Sequence, residues 1–356
     1  MLWTNILFAI ALVGSYASNY INPEYFWYFA FFGLIYPVLL VINLAFLVFW
    51  LWRRKWIFLL SALTVLAGIS NIGRIVQLRI IGRHRDIPGD VKIMSYNVRL
   101  FNYYERDKSE AIRDSILHYV EQENADIICF QEFMTVSNYP EYSENHIDTA
   151  LRSFPYKHVF YTSKATEYSN YGIATYSKFP IIRKSSIRFR SSFNACIYSD
   201  IKIGEDTLRF FNVHLQSIKL RKDNYLLVDN ASLRLDSKQI SEVKEISGRL
   251  KLAYIKRAQQ VEELNWHIHQ SPYPVVVCGD FNDTPVSYTY TRVRGNLADA
   301  FLGSGKGAGN TYRGISPSFR IDFIFHSRSI ESSNYQTHTI SLSDHYPISC
   351  ELRMNP

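Results

Sequence analysis

The residues of this sequence that could do chemistry stand at the ends of short apolar runs. They are Asn97, Gln131, Glu132, Asn212, His214, Asp280, Asn282, Asp322, Asp344 and His345. Several strand ends that meet at one place can hold polar groups rigidly. Carboxylate and amide oxygens are the ligands that Mg²⁺ and Mn²⁺ prefer, and a hard cation offsets charge on phosphoryl oxygens. The set therefore fits metal-dependent hydrolysis of a phosphoester, with Glu132 as the best metal ligand.

Each of these residues alone also has an ordinary structural explanation. A glutamate after a strand, such as Glu132, is usually a solvated strand end. A single histidine such as His214 is more often a hydrogen-bonded structural residue than a catalyst. Asp280 and Asn282 suit the turns that asparagine and aspartate commonly form. The functional interpretation therefore rests on the joint pattern of these residues.

The elements that must position these residues are short β-branched or aromatic runs, which predict strands. The predicted strands are Val91–Tyr96, Asp126–Phe130, Gly172–Tyr176, Leu208–His214, Val275–Cys278, Ile321–Phe325 and Ile348–Leu352. Helical patterns occupy Lys108–Gln122 and a long stretch around Ser237–Gln270. The fold class is therefore α/β or α+β with substantial sheet. Four well-separated cysteines indicate buried thiols rather than a disulfide framework or a zinc site.

The order of the motifs resembles that of the endonuclease/exonuclease/phosphatase superfamily of metal-dependent phosphoesterases. The resemblance extends over about Val91–Leu352. Its motifs are Ser95-Tyr96-Asn97-Val98, Phe130-Gln131-Glu132, Asn212-Val213-His214-Leu215, Gly279-Asp280-Phe281-Asn282, Arg320-Ile321-Asp322-Phe323-Ile324 and Ser343-Asp344-His345-Tyr346-Pro347. The resemblance implies a four-layer sandwich, in which helices flank two packed β-sheets, with the site at one end.

The resemblance also implies a Mg²⁺ or Mn²⁺ site. Glu132 would bind the cation, Asn97 would assist it, and Asp344 would complete or extend the site. Arg99 marks a departure, because apurinic endonucleases carry an acidic metal-site residue at that position. This argues against a close abasic-site nuclease. Arg99 is either a contact to the substrate phosphate or an ordinary surface arginine.

By the same resemblance, Asp280 would be the general base that orients or deprotonates the attacking water. Asn282 would hold a phosphate oxygen in the transition state. His345, paired with Asp322, would bind and polarise the scissile phosphate. His214 would lie near the leaving group, where some members of the family use a tyrosine.

The substrate is not determined by these motifs. Ile218–Arg257 contains ten basic and five acidic residues, a composition compatible with lipid headgroups, with polynucleotide phosphates or with an ordinary solvated helix. The cysteine-containing substrate motif of inositol phosphatases is absent, because Arg320-Ile321-Asp322 occupies that region.

The first ninety residues predict a membrane anchor region, followed by a catalytic domain over 91–356. Apolar stretches at about 2–20, 25–52 and 56–73 give two or three transmembrane helices. Pro37 would kink the second of them. A cleaved signal peptide is the rival explanation of the first stretch, but it lacks a basic leading region.

Charge agrees with this division of the chain. Residues 1–90 carry seven basic and three acidic side chains and thus hold more than half of the formal net charge of +7. The predicted catalytic domain is therefore only slightly basic, and the net charge of the chain is weak evidence for nucleic-acid binding. Arg53–Lys55 on the cytoplasmic side would send the carboxy-terminal domain outside, whereas Arg74, Arg79, Arg83 and Arg85 argue for the opposite. We predict a multi-pass protein; these charges leave both orientations open, and of the two we favour an extracytoplasmic catalytic domain.

Three functional hypotheses follow. The first is a membrane-anchored, divalent-metal-dependent phosphodiesterase or phosphatase, with the lipid bilayer as its surroundings and a lipid headgroup as one possible substrate. The second is a membrane-tethered nuclease acting on DNA or RNA. The third is an inactive domain that serves as a membrane-associated binding module. No protein partner is predicted.

Overall fold

The computed structural model of the chain describes residues 1–78, 89–105, 109–164, 166–190, 192–218, 237–314 and 318–354. The chain forms two compact units that alternate along the sequence. The first comprises Met1–Ile75, Gln216–Glu263 and Asp283–Val293, and the second comprises Val76–Leu215, Leu264–Asn282 and Arg294–Pro356. The predicted domain boundary at residue 90 stays a prediction.

The helices of the first unit are mostly those of the apolar amino-terminal region. They are α1 (Leu2–Ala17), α2 (Pro23–Phe26), α3 (Tyr28–Leu34), α4 (Tyr36–Trp52), α5 (Phe58–Ala67) and α6 (Ile69–Ile75). The helices that follow along the chain are α7 (Ser109–Gln122), α8 (Glu144–Ala150), α9 (Ser237–His269), α10 (Tyr288–Arg294) and α11 (Ala300–Ser304). The long α9 contributes its first part to the first unit and its last turns to the second.

The described strands of the second unit form two six-stranded sheets. The first sheet has the order β11 (Ile330–Thr337), β12 (Ile348–Met354), β1 (Val91–Asn97), β2 (Ile127–Val136), β4 (Ser169–Ser177) and β3 (Tyr156–Lys164). The second has the order β5 (Ile181–Arg188), β6 (Ala195–Ile203), β7 (Asp206–His214), β8 (Val275–Asp280), β10 (Asp322–His326) and β9 (Ala298–Asp299). Each sheet therefore mixes parallel and antiparallel neighbours.

One parallel pair lies at the centre of each sheet. β1 pairs with β2 so that Asn97 is opposite Gln131, and β7 pairs with β8 so that His214 is opposite Asp280. Parallel strands end at the same edge of a sheet, so each pair presents its carboxyl-terminal residues together. The fold thereby collects at strand ends the polar residues that the sequence distributes over distant motifs.

The side-chain alternation of the strands builds two hydrophobic layers. Ile93 and Ile127 face the core between the sheets, where they join Phe210 of β7. Met94 and Ile128, one residue further along, face the outer core together with residues of α7 and α8. Successive strand residues point to opposite faces, so both layers follow from the same short runs.

Helices also lie on the outer face of the second sheet. The ring of Tyr198 on β6 lies 6.1 Å from that of His267 in the last turns of α9. Two packed sheets with helices on their outer faces confirm the predicted four-layer sandwich. All four cysteines, Cys129, Cys196, Cys278 and Cys350, are buried free thiols, as predicted.

A buried polar pair joins the two sheets. The side-chain amide of Gln131 donates to Asn212 Oδ1 at 2.7 Å, and Asn212 Nδ2 donates to the carbonyl oxygens of Phe130 and Ala174. Both side chains are fully buried. Gln131 and Asn212, which the sequence groups with the chemical residues, are therefore engaged in holding the sheets together.

Replacing Asn212 by alanine should lower the free energy of unfolding by about 1–3 kcal/mol, because buried donors and acceptors would lose their partners. Chemical denaturation of the purified chain measures this. Asn296→Ala, at an exposed asparagine, is the matched control and should leave stability nearly unchanged. Equal stabilities for the two variants would contradict the role of the pair.

The helices of the first unit invert the usual distribution of polar and apolar side chains. Trp3, Val48 and Leu63 are 81%, 66% and 64% exposed, whereas Asn5 and Asn43 are fully buried. A helical bundle in water normally turns its apolar stripe inward and its polar face outward. The bundle therefore exposes large apolar side chains and buries polar ones.

The buried polar groups of this bundle have partners on neighbouring helices. Asn5 of α1 donates to Ser61 Oγ of α5 at 2.8 Å and accepts from the indole nitrogen of Trp50 of α4 at 2.9 Å. Asn43 of α4 donates to the carbonyl oxygen of Phe8 at 3.0 Å. The amide nitrogens of these buried side chains are therefore satisfied by hydrogen bonds between helices.

Among the described residues, no single helix is both long and apolar enough to cross a membrane. Two bent pairs meet the length and composition requirements together: α3 with α4, bent by 67°, and α5 with α6, bent by 62°. The first bend is at Ile35, just before Pro37, whose ring removes an amide donor from a continuous helix. The apolar stretches 25–52 and 56–73 are therefore each divided between helices.

Most sequence predictions of elements in the sheet region are confirmed within a few residues. The predicted strands Asp126–Phe130 and Gly172–Tyr176 belong to the longer β2 and β4. Five strands, β3, β5, β6, β9 and β11, were not predicted. Lys108, Arg79, Arg83, Arg85 and residues 219–236 of the basic stretch lie outside the described residues.

Candidate active site

The carboxylate of Asp280, at the end of β8, is the centre of the candidate site. It is buried, and its Oδ2 accepts hydrogen bonds from Asn97 Nδ2 at 2.9 Å and Asn282 Nδ2 at 3.0 Å. The Nε2 atoms of His214 and His345 lie 3.7 and 3.8 Å from the same oxygen. Four polar side chains from four separate motifs therefore converge on one carboxylate.

Burial raises the pKa of Asp280 to about 6, although the neighbouring imidazole of His345 lowers it. A carboxylate with such a pKa is ionised at neutral pH and is a stronger base than an exposed aspartate. Asp280 thus has the electrostatic environment of a general base.

The local geometry around Asp280 explains the Gly-Asp-Phe-Asn motif. Gly279 has a φ of +141°, and a Cβ at this position would lie 2.0 Å from the carbonyl oxygen of Val213. Asn282 adopts a left-handed φ of +54° and donates its backbone amide to Asp280 Oδ1 at 2.8 Å. Its side chain also donates to the carbonyl oxygen of Leu215 at 3.0 Å. The motif therefore forms a tight turn that fixes the carboxylate.

His345 and Asp322 form a buried pair beside Asp280. Asp322 is directly opposite Asp280 in the antiparallel pairing of β10 with β8, and its Oδ2 lies 2.9 Å from His345 Nδ1. Burial disfavours the charged imidazole, but the carboxylates of Asp322 and Asp280 raise the pKa of His345 to about 10. His345 is therefore a cation whose Nε2 faces the centre of the site.

His214, at the end of β7, lies on the side of Asp280 opposite to Asp322, because β7 and β10 flank β8. Its Nε2 is 3.8 Å from Glu132 Oε1 and makes no hydrogen bond within the described part of the chain. Burial lowers the pKa of His214, and the carboxylate of Asp280 offsets this only in part. A neutral imidazole with an unsatisfied nitrogen is suited to exchange a proton with a bound group.

Glu132 reaches the site because β2 is irregular at this residue. The register between β2 and β4 shifts between Gln131 and Phe133, and Glu132 between them has a φ of +51°. Such a bulge re-aims a side chain at the end of a strand. Desolvation and the carboxylate of Asp344 raise the pKa of Glu132.

Asn97 joins the two halves of the site. Its Nδ2 faces both Asp280 and Glu132 Oε1, the latter at 3.4 Å, while its Oδ1 accepts from the backbone amide of Arg99 at 3.0 Å. In this arrangement Asn97 orients two carboxylates with its amide nitrogen. Its predicted assistance to a metal ion would be indirect, through the position of Glu132.

Arg99 is surrounded by polar partners. Its guanidinium donates to Asn102 Oδ1 at 3.1 Å and lies 3.0 Å from Glu105 Oε1 and 3.6 Å from Asp344 Oδ2. Arg99 and Asn102 lie in a turn of left-handed residues that follows β1. The predicted contact of Arg99 with a substrate phosphate stays a prediction.

Two groups of side chains could hold a cation. Asp280, Asp322 and His345 have ligand atoms within 4.8 Å of one another. A protonated imidazole is a donor and not a ligand, however, so a cationic His345 disfavours this group. This objection does not apply to the carboxylates of Glu132 and Asp344. The carboxylate of Asp344 contributes to the raised pKa of Glu132, so a bound cation would offset the repulsion between the two groups. The donor chemistry of this pair fits a divalent ion.

Two residues that support the site were not singled out from the sequence. Thr311 Oγ1 accepts from the backbone amides of Ile321 and Asp322, and Ser343 Oγ donates to the carbonyl oxygen of Asn97 at 2.8 Å. Ser343 lies within a quoted motif. Thr311 lies in none, and it acts through backbone contacts that no pattern in a single sequence signals.

Comparison with known proteins identifies the family of the chain. A family model described as the Endonuclease/Exonuclease/phosphatase family matches residues 94–345. The chain belongs to this family. A second model, a domain of unknown function (DUF8431), matches residues 1–75. None of the curated proteins matches the chain.

Solved structures of the endonuclease/exonuclease/phosphatase family share the fold. The protein from Beutenbergia cavernae is 15% identical with a TM-score of 0.55, covering 74% of this chain and 72% of its own. One from Bacteroides thetaiotaomicron is 18% identical with a TM-score of 0.52, covering 74% and 97%. The mannosyl-6-phosphatase of the same species is 17% identical with a TM-score of 0.50, covering 74% and 99%.

Membership of the endonuclease/exonuclease/phosphatase family makes this protein a hydrolase that acts on phosphoester bonds. The predicted superfamily, the sandwich fold and the enzyme class are thereby confirmed, whereas the transmembrane helices stay a prediction. The predicted catalytic residues His214, Asp280, Asn282, Asp322 and His345 all lie together. Their individual roles are proposals.

Proposed function

We propose that this protein is a membrane-anchored, divalent-cation-dependent phosphoesterase in which Asp280 activates the attacking water. The observation that carries the proposal is the convergence of Asn97, His214, Asn282 and His345 on the buried carboxylate of Asp280. A site with a buried base, a cationic donor and nearby carboxylates contains the groups that hydrolysis of a phosphoester requires.

Asp280 accepts a proton from the attacking water. The amide groups of Asn97 and Asn282 keep its carboxylate in one orientation, so the base is ready before the substrate binds. A fixed base and a fixed water reduce the entropy that the reaction must otherwise lose. Asn282 also lies close enough to Asp280 to contact a phosphoryl oxygen beside the water.

His345 stabilises negative charge on the phosphoryl group. Its Nδ1 is held by Asp322 at 2.9 Å, which leaves the Nε2 proton free to point at a substrate oxygen. A preorganised charged donor is most effective where water is excluded, and both His345 and Asp322 are buried. His214, on the other side of Asp280, would deliver a proton to the leaving oxygen.

Glu132 and Asp344 would hold Mg²⁺ or Mn²⁺, with Asn97 aligning Glu132. When bound, the cation supplies positive charge that offsets the phosphoryl oxygens and polarises the scissile bond.

Removal of divalent ions by a chelator should abolish hydrolysis, and Mg²⁺ or Mn²⁺ should restore it. Glu132→Gln should raise the Mg²⁺ concentration for half-maximal activity by at least about tenfold, because a charged ligand is lost. Glu331→Gln, at an exposed position on β11, is the control. Full activity in chelator, or equal Mg²⁺ dependence of the two variants, would contradict the metal assignment.

Membrane anchoring is supported by the inverted polarity of the first unit. Its exposed side chains include Trp3, Val48 and Leu63, while Asn5 and Asn43 are buried with partners on neighbouring helices. The free energy of exposing so many large apolar side chains to water would be unfavourable. We keep the proposal that the catalytic domain faces outside the cytoplasm, which reporters fused after Pro356 test.

The full chain should stay with the membrane fraction when membranes are washed with alkaline carbonate, because its apolar helices would be in contact with lipid tails. Immunoblots of pellet and supernatant measure the distribution. Release into the supernatant would contradict anchoring by these helices and would leave the catalytic proposal untouched.

The substrate class is tested with the full chain in detergent on a panel of phospholipids, sphingomyelin, inositol phosphates, sugar phosphates, DNA and RNA. Sugar phosphates belong in the panel because one structural neighbour is a mannosyl-6-phosphatase. Cleavage that is confined to polynucleotide and fades steeply with salt would favour the nuclease alternative. Turnover of any substrate that is lost in Asp280→Asn excludes the inactive binding module.

A further inference from the structure

The segment that directly follows the Gly-Asp-Phe-Asn motif is packed among the amino-terminal helices. Asp283–Val293 is part of the first unit, although Asn282, the residue before it, belongs to the second. The side chain of Val286 is buried in one hydrophobic cluster with Leu12 of α1 and Tyr36 of α4. A residue only four positions after Asn282 is therefore part of the core of the helical bundle.

The backbone of this segment is held as well. Ser18, at the end of α1, donates its hydroxyl to the carbonyl oxygen of Val286 at 3.0 Å. Gly33 of α3 lies so close that a Cβ there would be 2.3 Å from the same oxygen and 2.5 Å from Ser18 Oγ. Such a close approach of backbone leaves room only for glycine. The helices α1 and α3 therefore fix the position of Val286 together.

The bundle also holds α10, the helix in which this segment ends. The guanidinium of Arg74 of α6 lies over the ring of Tyr290, 5.2 Å from its centroid, and its Nη1 donates to Thr291 Oγ1 at 3.3 Å. The same Nη1 donates to Asn19 Oδ1 at 3.1 Å, and Thr291 Oγ1 donates to that oxygen at 3.3 Å. The segment is thus held near Val286 and again in α10.

Arg257 of α9 joins the two chain segments that leave the catalytic motifs. Its Nε donates to Asp283 Oδ2 at 3.2 Å, and its Nη1 donates to the carbonyl oxygen of Gln216 at 3.0 Å. Asp283 follows Asn282, and Gln216 is the second residue after His214. Arg257 and Asp283 are both buried, and separating a buried ion pair is costly. One guanidinium therefore ties the two segments together.

Aromatic rings connect Arg257 to the amino-terminal helices. Its guanidinium lies over the ring of Tyr254, 4.7 Å from the centroid, and this ring meets the ring of Phe31 of α3 edge-on at 5.7 Å. Contacts of a cation with a ring face and of one ring edge with another are both favourable and both depend on geometry. Packed side chains of the first unit therefore lead from α3 to Asp283.

The connection continues along the covalent chain into the second unit. The side chain of Asn282 donates to the carbonyl oxygen of Leu215 at 3.0 Å and to Asp280 Oδ2 at 3.0 Å. Asn282 and Leu215 are the covalent neighbours of Asp283 and Gln216, the two residues that the guanidinium of α9 holds. Asn282 also has a left-handed φ of +54°, a conformation that persists only where the surrounding structure enforces it. Its orientation therefore depends on where its neighbour in the chain is held.

We propose that the amino-terminal bundle is a positioning element of the active site, beyond its proposed role as an anchor. By holding Asp283–Val293, the bundle fixes the chain that leaves Asn282 and keeps the side chain of Asn282 aligned on Asp280. The inference rests on the proposed function, in which Asp280 activates the attacking water. The residues of the bundle that hold this segment are positioning residues, because they act through the chain and not on the reacting atoms.

The test uses the full chain in detergent with the best substrate of the panel. Gly33→Ala should lower kcat at least about tenfold and leave KM within about twofold, because a small misplacement of a catalytic group costs rate even when its cause is remote. Gly14→Ala is the matched control, since a Cβ at this glycine of α1 would lie 3.6 Å from the ring of Phe32, an ordinary contact. It should keep the natural kcat. Equal kcat for the two variants would overturn the inference.

A double-substitution cycle separates positioning from a general loss of folded enzyme. If the bundle acts through Asn282, Gly33→Ala should lower kcat by less than about twofold in an Asn282→Ala background, because the effects of coupled residues do not add. A loss of folded enzyme would lower kcat by the same factor in both backgrounds. That result would also overturn the inference.

Amide hydrogen exchange gives a measurement that does not require turnover. The backbone amide of Asn282 donates to Asp280 Oδ1 at 2.8 Å, so a loosened turn should lose protection in the Gly33→Ala protein, while peptides from β1 and β2 keep theirs. Unchanged protection of the turn would contradict the positioning role. Should the natural chain hydrolyse nothing in the panel, exchange alone decides the inference, and the failure falls on the proposed function.

Ser18→Ala serves if Gly33→Ala does not fold. It removes the hydroxyl that donates to Val286, and it should lower kcat and the protection of the turn in the same direction and by less. Ser15→Ala is its matched control, because the hydroxyl of this buried serine donates to the carbonyl oxygen of Leu12 within α1. Indistinguishable kcat and exchange in the two serine variants would then overturn the inference.

Discussion

An Asp280→Asn protein should hydrolyse phosphoesters about a thousandfold more slowly than the natural chain, because a positioned general base contributes about 10²–10⁴ to the rate. The amide cannot take a proton from water. It would also turn a donor toward Asn97 or Asn282, whose Nδ2 atoms now both donate to Oδ2. The measurement is kcat on the best substrate of the panel at saturating Mg²⁺.

Asp206→Asn is the control for this prediction, because Asp206 is an exposed aspartate at the start of the neighbouring strand β7. It should keep kcat close to that of the natural chain. Near-normal turnover by Asp280→Asn protein would remove Asp280 from the mechanism. Unfolding of the variant, detected by circular dichroism, would instead call for Asp280→Glu, which retains the charge but displaces the base.

His345→Gln should lower kcat by about 10²–10³, the usual cost of removing a preorganised donor that stabilises charge in the transition state. Glutamine can still donate a hydrogen bond, but it cannot carry the charge that Asp322 and Asp280 favour on the imidazole. Asp322→Asn should reduce kcat in the same direction and by less, since the imidazole would remain while losing its ion-pair partner.

His158→Gln is the matched control for His345→Gln. His158 is also buried and lies 2.9 Å from a serine hydroxyl, Ser199 Oγ, outside the candidate site. Its substitution should affect stability more than kcat. If the His345→Gln enzyme kept kcat within about twofold while the fold was intact, charge stabilisation by His345 would be disproved.

The site could be predicted from the sequence to the extent that its residues stand at strand ends. Asp280 and His214 follow apolar runs that form β8 and β7, and parallel pairing brings those ends together. Asp322 and His345 were expected as a pair, and they form one. Strand-end polarity and motif order are local signals that survive in a single sequence.

Contacts that depend on tertiary geometry were not predictable. The bulge that turns Glu132 toward the site is visible only as a register shift against β4. The roles of Gln131 and Asn212 in joining the sheets depend on which faces meet, and their motifs gave no indication of this. The contacts of Thr311 depend on a loop that carries no periodicity.

Two of the unpredicted strands also have a physical explanation. β3 and β5 are edge strands, and β5 exposes Arg183, Lys184 and Ser186 among few apolar residues. Strands of this kind do not show a continuous apolar run. In the amino-terminal region, the kink predicted at Pro37 agrees with the bend at Ile35. The break at Gly68 was not predicted, because the apolar stretch around it contains neither a proline nor a charged residue.

The most direct test of the central claim is hydrolysis of a phosphoester by the full chain in isotope-labelled water with Mg²⁺ present. Attack of water at phosphorus, with Asp280 as base, predicts that the heavy oxygen enters the phosphoryl product. It also predicts that Asp280→Asn protein forms almost no labelled product in the same time. Label in the released alcohol, or equal amounts of labelled product from the two proteins in that time, would contradict the account.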